Sequence, residues 1–138
     1  MINSNISYER LVHVYETDLM GIVHHSNYLR FCEEARVHWC NKKGLLNAGN
    51  RAVFSLAVLE TRVKHRKTTK YPDRIQFGIQ VKTQGARLIF QYKLFVAEEV
   101  VCVAETVHCN LDMNMKVKRL SSELIKMVES ELWTETWL

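Results

Sequence analysis

The chain has 138 residues, of which 47% are hydrophobic and 25% are charged, and its formal net charge is +4. This length accommodates one hydrophobic core, so we expect a single domain over residues 1–138. No apolar run approaches the roughly 20 residues of a membrane-spanning helix, and no secretory signal pattern begins the chain, so we expect a cytoplasmic protein without a membrane span.

The first predicted element is a strand near residues 7–15, where Leu11, His13 and Tyr15 alternate with valines. A helix is expected from about Asn27 to Lys43, with Ser26 as its N-cap and Gly44 just beyond its end. Its apolar residues recur at positions i, i+3, i+4, i+7 and i+11. They are Tyr28, Phe31, Cys32, Ala35 and Trp39.

The second half of the chain reads as consecutive strands: residues 52–67 are mostly apolar and then basic, and the later segments place apolar residues on one face. The predicted strands cover residues 52–67, 74–83, 87–96 and 100–113. Ser121 or Ser122 is expected to cap a final helix. That helix contains Leu124, Ile125, Val128 and Leu132. The pattern predicts an α+β fold in which the long helix lies on the concave face of an antiparallel sheet.

Two features of the sequence bear on metals and on the C-terminus. The four cysteines, which form no C-x-x-C pair, are expected to be buried free thiols and not a metal site. They are Cys32, Cys40, Cys102 and Cys109. Trp133 and Trp137, near the C-terminus, are expected either to cover a subunit interface or to pack on their own sheet.

Residues 15–28 carry the strongest functional signal, because an acidic residue in a glycine-containing loop leads directly into the long helix. The unpaired N–H groups of a first helical turn can hold a developing oxyanion. The carboxylate of Asp18 can act on the same carbonyl group, as a general base or as a nucleophile. This combination suits acyl transfer.

The same segment resembles the signature of hotdog-fold acyl-CoA thioesterases, most closely the 4-hydroxybenzoyl-CoA thioesterase group and its Tol–Pal-associated relatives. The matching residues are Asp18, Gly21, Val23, His25, Asn27, Tyr28, Phe31, Glu33, Ala35 and Arg36. The resemblance implies a long helix wrapped by the sheet, with Asp18 as the catalytic carboxylate and the backbone N–H of His25 as the oxyanion donor. Glu16 keeps the acid that relatives carry two residues before the catalytic one, whereas Thr68 and Thr69 replace their Pro-Ala pair.

Residues around this loop are candidates for substrate binding, each with a simpler structural alternative. Tyr15 could shape the acyl pocket or belong to the core, and Tyr28 and Phe31 could bound the acyl group. Asn27 could order a water molecule or hold the loop through backbone hydrogen bonds. Glu33 could face a partner subunit's site or pair with Arg36 at i+3. For His24, a packing or surface role is expected.

Cationic residues suggest where an anionic group would bind. The resemblance places Arg87 against the nucleotide of coenzyme A, with an exposed strand-end arginine as the alternative. Residues 62–74 are rich in Arg and Lys, which fits a solvated strand end, a collar for the cofactor arm or a dock for an acidic carrier protein. Nucleic acid is the weaker candidate, because aromatic residues are not interleaved with the charges.

The leading hypothesis is an acyl-CoA thioesterase, with coenzyme A as part of the substrate and no metal or redox cofactor. The alternatives are an acyl-carrier-protein thioesterase and a non-catalytic module that binds acyl ligands. Because sheets of this kind pair edge to edge, a homodimer or a homotetramer is expected.

Overall fold

The structure is a computed structural model that describes residues 6–45 and 56–138. Within these ranges it contains six strands, two α-helices and a short 3-10 helix at Val14–Glu16. In chain order the elements are β1 (Ile6–Leu11), α1 (Ser26–Lys42), β2 (Leu56–His65), β3 (Arg74–Gln84), β4 (Arg87–Val96), β5 (Glu99–Leu111), β6 (Val117–Lys118) and α2 (Ser122–Glu129). Residues 52–55 of the predicted second strand lie outside the described residues.

The strands form one antiparallel sheet in the order β1-β3-β4-β5-β2, and the short β6 pairs with β5. Alternate side chains of the three central strands point toward α1, and large aromatic residues among them, such as Phe77, Phe90 and Tyr92, are fully buried. Complete burial of such a side chain contributes on the order of 1.5–3 kcal/mol. The predicted α+β arrangement of a helix on an antiparallel sheet is confirmed.

Helix α1 buries the predicted apolar face together with Cys40. It ends as the sequence predicts: Gly44 has a φ of +74°, a conformation that glycine adopts without a steric penalty. The N–H of Gly44 donates to the carbonyl of Asn41 at 3.1 Å, and the N–H of Leu45 donates to that of Cys40 at 2.9 Å. These two bonds are the Schellman arrangement, which satisfies the last carbonyls of the helix.

Several predicted boundaries are wrong, and β2 and β5 each end two residues before the predicted ends at 67 and 113. The first strand ends at Leu11 because the chain then turns into the 3-10 helix, which leaves Tyr15 82% exposed. Ser26 is the first residue of α1 and not its N-cap; the cap position belongs to His25. Leu132 lies beyond the end of α2 and is exposed. Ser121 does cap α2, since its hydroxyl accepts from the N–H of Leu124 at 3.1 Å.

The C-terminal segment, residues 133–138, packs back on its own sheet, on the face opposite α1. Its backbone is held by two buried glutamines: Gln80 donates to the carbonyl of Glu135 at 2.7 Å, and Gln91 accepts from the N–H of Trp137 at 2.9 Å. The Nζ of Lys93 lies 4.7 Å from the ring centroid of Trp137. Of the two expectations for Trp133 and Trp137, the structure therefore favours packing on the chain's own sheet over a subunit interface.

The four cysteines are free and buried, as predicted. Burial raises the pKa of the Cys40 and Cys102 thiols to about 12 and that of Cys32 well above its usual range. No group of three His, Cys, Asp or Glu residues within the two described ranges is arranged to hold a metal ion. Neither described helix has the length and hydrophobicity needed to cross a bilayer.

A polar chain runs through the core beneath α1. Arg36 donates to the hydroxyl of Tyr92 at 3.0 Å, and this hydroxyl lies 2.7 Å from that of Thr106, which lies 2.8 Å from Nε2 of His108. The expected pair of Arg36 with Glu33 is replaced by this contact, and Glu33 is exposed. Burial, helped by the positive charge of Arg36, lowers the pKa of His108 from 6.5 to about 4.

His108 is therefore expected to make the fold sensitive to acid. Between pH 6.5 and about pH 4 the unfolded chain binds a proton at His108 and the folded chain does not, so stability is lost as the pH falls. Urea titrations of wild type and His108→Gln measure this. From about pH 7.5 to about pH 5 the wild type should lose about 2 kcal/mol more unfolding free energy than the variant. Parallel losses in both proteins would contradict a neutral buried imidazole.

Candidate active site

The loop that carries Asp18 is held by its own backbone. Thr17 and Val23 form an isolated antiparallel bridge, and the N–H of Asp18 donates to the carbonyl of Ile22 at 2.8 Å. Gly21, with a φ of +79°, makes the tight return that places Ile22 there. One carboxylate oxygen of Asp18 accepts from the N–H of Met20 at 2.8 Å, and the other has no hydrogen-bond partner among the described residues. Asp18 thus has an oxygen available for a ligand.

The start of α1 leaves one backbone N–H free. The N–H of His24 donates to the carbonyl of Glu16 at 2.9 Å, and the N–H of Ser26 donates to Nδ1 of His24 at 3.2 Å. The N–H of Asn27 donates to the carbonyl of His24 at 2.9 Å. Between these occupied donors, the N–H of His25 has no acceptor in the described part of the chain. It can therefore hold an oxygen atom of a ligand.

Asp18 and His25 line the same cleft, which has a volume of about 420 Å³. One wall comes from the loop and α1, and the other comes from the end of β2 and the residues after it. The lining residues are Asp18, Ile22, Val23, His25, Tyr28, His65, Arg66, Lys67 and Thr68. One wall is therefore mostly apolar around a single carboxylate, and the other is basic.

Tyr28 forms the floor of this cleft without offering its hydroxyl to a ligand. The side chain is buried, and its hydroxyl lies 2.7 Å from that of Thr69. Burial raises the pKa of Tyr28, so the phenol stays protonated. The carbonyl of Thr69 also accepts from the N–H of Val23 at 2.8 Å. Thr69 thus ties the strand connection to the loop through its backbone carbonyl and to the helix through its hydroxyl, and only the hydroxyl contact requires a threonine in place of alanine.

The other predicted binding residues lie outside the cleft. Phe31 is fully buried in the core, where the guanidinium of Arg10 lies 4.1 Å from its ring centroid. Tyr15 stacks on His13 at 5.1 Å, away from the cleft. Arg87 lies 3.8 Å from Glu60, beside a separate depression of about 280 Å³ that the C-terminal segment also lines.

Of the two roles considered for Asn27, the structure shows the hydrogen bond to the loop backbone. Its side-chain amide donates to the carbonyl of Glu16 at 2.8 Å, which holds the loop against the helix. The His24 and His25 rings stack on each other at 4.3 Å. Nδ1 of His24 lies 2.8 Å from the hydroxyl of Ser26. The ring of His24 thus caps the helix, because its Nδ1 accepts the hydrogen bond from the N–H of Ser26. Histidine is not among the residues that sequence rules favour as helix caps.

The basic wall of the cleft includes His65, Arg66 and Lys67, which the sequence analysis singled out only as part of the basic stretch 62–74. His65, at the end of β2, meets the ring of Tyr28 edge to face at 4.9 Å. Within the described chain, Lys67 pairs with Glu99, while Arg66 forms no ion pair. The sequence predicted a strand that continues to residue 67, two residues beyond the observed end of β2 at His65. The approach of this strand end to Asp18 depends on how β2 pairs with β5.

An ion-pair network lies behind the loop. The guanidinium of Arg10 donates to both carboxylate oxygens of Glu16, at 2.8 Å each, and its Nε lies 2.9 Å from Glu34. Burial by itself would raise the pKa of Glu16, but the hydrogen bonds from Arg10 and from the N–H of His13 outweigh it and leave that pKa below its usual value. Glu16 is therefore a buried, ionised carboxylate.

Comparisons with known proteins show which proteins this chain resembles. The crystal structure of a hypothetical protein from Aquifex aeolicus is 31% identical, covers 88% of this chain and 97% of that one, and has a TM-score of 0.78. The crystal structure of a 1,4-dihydroxy-2-naphthoyl-CoA thioesterase from Synechocystis is 21% identical, covers 91% of this chain and 96% of that one, and has a TM-score of 0.80. A Helicobacter pylori protein named acyl-CoA thioesterase YbgC is 40% identical over 94 residues, which are 67% of this chain and 64% of that protein.

The fold and the sequence place the chain in a class of hydrolases. The profile of the Thioesterase-like superfamily matches residues 12–129, and the chain belongs to that family. The predicted hotdog fold and the predicted enzyme class, a thioesterase, are both confirmed.

Proposed function

We propose that this protein hydrolyses the thioester of an acyl-coenzyme A to the free acid and coenzyme A. The observation that carries the proposal is the pairing, in one cleft, of a carboxylate with a free oxygen and a backbone N–H with no acceptor. A module that only binds acyl groups has no need of an acid beside the carbonyl. The relatives named as acyl-CoA thioesterase and 1,4-dihydroxy-2-naphthoyl-CoA thioesterase act on the same class of bond.

In the proposed mechanism the thioester carbonyl oxygen accepts a hydrogen bond from the N–H of His25. The positive end of the α1 dipole stabilises the negative charge that develops on this oxygen. Asp18 either takes a proton from an attacking water or attacks the carbonyl carbon itself, giving a mixed anhydride that water then hydrolyses. In both routes the carbon–sulfur bond breaks and the thiolate leaves with the electron pair.

We propose an orientation for the rest of the substrate from the character of the two walls of the cleft. The apolar wall of Ile22, Val23 and Tyr28 faces the acyl side, and the basic wall faces the coenzyme arm. We retain Arg87 as a candidate for the nucleotide, since its pairing with Glu60 is long, at 3.8 Å, and both side chains are exposed. Coenzyme A enters only as part of the substrate, and the mechanism uses no other cofactor.

An acyl carrier protein is the second candidate partner. The observation that favours it is the position of His65, Arg66 and Lys67, which are exposed and line the cleft that holds Asp18. An acidic protein that delivers a thioester would meet this charge at the mouth of the site. The two substrates share the thioester and the pantetheine arm, so the same catalytic groups would serve both.

We also propose a homodimer or homotetramer assembled through sheet edges. Strands β1 and β2 end the sheet, and β2 exposes Val58 and Leu59 by 49% and 47%. The C-terminal segment covers part of the outer face, which favours association through an edge. Light scattering behind a sizing column measures the mass, and a monomer at micromolar concentration would contradict this assembly.

The proposed activity is tested with a panel of acyl-CoAs, aliphatic and aromatic, whose hydrolysis is followed by chromatography. A thiol reagent is avoided because the protein has four free cysteines. Turnover above that of the Asp18→Asn variant supports the proposal and ranks the acyl groups. If both proteins match the spontaneous rate, acyl carrier proteins loaded with the same groups are tried. Failure with these as well would overturn the proposed activity and favour a module that only binds acyl groups.

A further inference from the structure

Glu16 is joined to three separate parts of the fold. Its carboxylate binds Arg10 of β1 through both oxygens, and one oxygen also accepts from the N–H of His13 at 2.8 Å. Its backbone carbonyl accepts from the N–H of His24 at 2.9 Å and from the side chain of Asn27 at 2.8 Å. A single residue therefore connects an edge strand, the loop and the first turn of α1.

The partner of Glu16 is itself held in place. Nε of Arg10 lies 2.9 Å from Glu34 on α1, and its guanidinium stacks over Phe31 of the same helix. The hydroxyl of Tyr8 donates to Glu34 at 3.2 Å. The side chains of Arg10 and Glu16 are 9% and 8% exposed, so water competes little for these bonds. An arginine fork on a carboxylate fixes both distance and direction.

The catalytic candidates lie on either side of this anchor. Asp18 follows Glu16 by two residues, and His25 follows His24, whose N–H is bound to the Glu16 carbonyl. The direction of the free N–H of His25 thus depends on His24, whose backbone is hydrogen-bonded to Glu16. Glu16 does not line the cleft, so it has no contact through which to bind substrate.

We propose that Glu16, fixed by Arg10, is a positioning residue that sets the Asp18 carboxylate and the His25 N–H relative to each other. The inference rests on the proposed thioesterase function. On this inference the ion pair of Arg10 and Glu16 affects kcat as well as the stability of the fold. A misplacement of about 1 Å between reacting groups costs on the order of a hundredfold in rate, so a small relaxation of the loop has a measurable effect.

The test is Glu16→Gln, which keeps the shape of the side chain and removes its charge. We expect kcat to fall about tenfold to a hundredfold while KM changes little, because the substrate does not touch residue 16. Hydrogen exchange at the His24 amide is expected to speed up, and this readout requires no activity. The double variant Arg10→Gln/Glu16→Gln removes both charges of the buried pair, so it should regain part of the thermal stability that Glu16→Gln loses while kcat stays low.

A matched control is Glu131→Gln, at the other end of α1. Glu131 accepts from Nε1 of Trp39 at 3.0 Å and pairs with Lys43 at 3.1 Å, so this variant also loses an ion pair. Glu131 does not line the cleft. Its kcat should equal that of wild type. Wild-type kcat in Glu16→Gln, or recovery of kcat together with stability in the double variant, would overturn the inference alone. A wild type inactive on every thioester would overturn the proposed function, and this inference with it.

Discussion

Replacing Asp18 by Asn is expected to lower kcat for thioester hydrolysis about a hundredfold to ten-thousandfold. An amide neither accepts a proton from water nor attacks a carbonyl carbon at a useful rate. The oxygen that accepts from the N–H of Met20 is kept in Asn, so the loop should retain its shape. The measurement is steady-state hydrolysis of the best acyl-CoA from the panel, with melting temperature and mass recorded for both proteins.

Asp112→Asn is the control for this change. Asp112 is also an aspartate in a turn, and one of its oxygens accepts from the N–H groups of Asn114 and Lys116 at 2.8 and 3.0 Å. It does not line the cleft, and its replacement should leave kcat unchanged. A folded Asp18→Asn protein that keeps kcat within about threefold of wild type would remove Asp18 from the mechanism.

The second large effect is expected from His25→Pro, which removes the proposed oxyanion donor. His25 has a φ of −55°, which proline adopts, and its N–H makes no bond to the described protein that the change would break. Loss of one such donor costs about a hundredfold to a thousandfold in kcat. Proline at the start of a helix is well tolerated, so the folded structure should survive.

The matched variant is His25→Ala, which removes the imidazole and keeps the N–H. If the backbone carries the role, His25→Ala retains most of its kcat while His25→Pro loses it. Equal losses in both variants would assign the role to the imidazole. A folded His25→Pro protein with wild-type kcat would show that the oxyanion is stabilised elsewhere. Circular dichroism of both variants confirms that α1 is still formed.

The sequence by itself determined the elements whose signals are local. The 3.6-residue period marked α1, Gly44 marked its end, and an apolar face with a period of two residues placed β4 at its observed bounds. Asp18 and His25 are seven residues apart in one loop and helix start, so their proximity is settled by short-range hydrogen bonds. This is why a motif in the sequence was enough to nominate both residues, and why the family resemblance was visible at all.

Only the tertiary structure decided which neighbours share the cleft. Phe31 lies on the same helix face as Tyr28, yet it is buried against the sheet, where Arg10 covers its ring. The basic wall reaches Asp18 from the end of β2 because β2 pairs with β5, a contact between residues about 40 positions apart. Periodicity tells which side of an element is apolar, but it does not tell what packs there.

The same distinction explains Glu16. In the sequence it is an acid two residues before another acid, which the resemblance matches to an acid of the relatives without giving it a role. In the fold it is 7% exposed, because Arg10 of β1 supplies the opposite charge from a neighbouring strand. Hydrogen bonds between residues close in the chain follow from local propensity. Ion pairs, cleft walls and the path of the C-terminal segment depend on strand register and packing, which are properties of the whole fold.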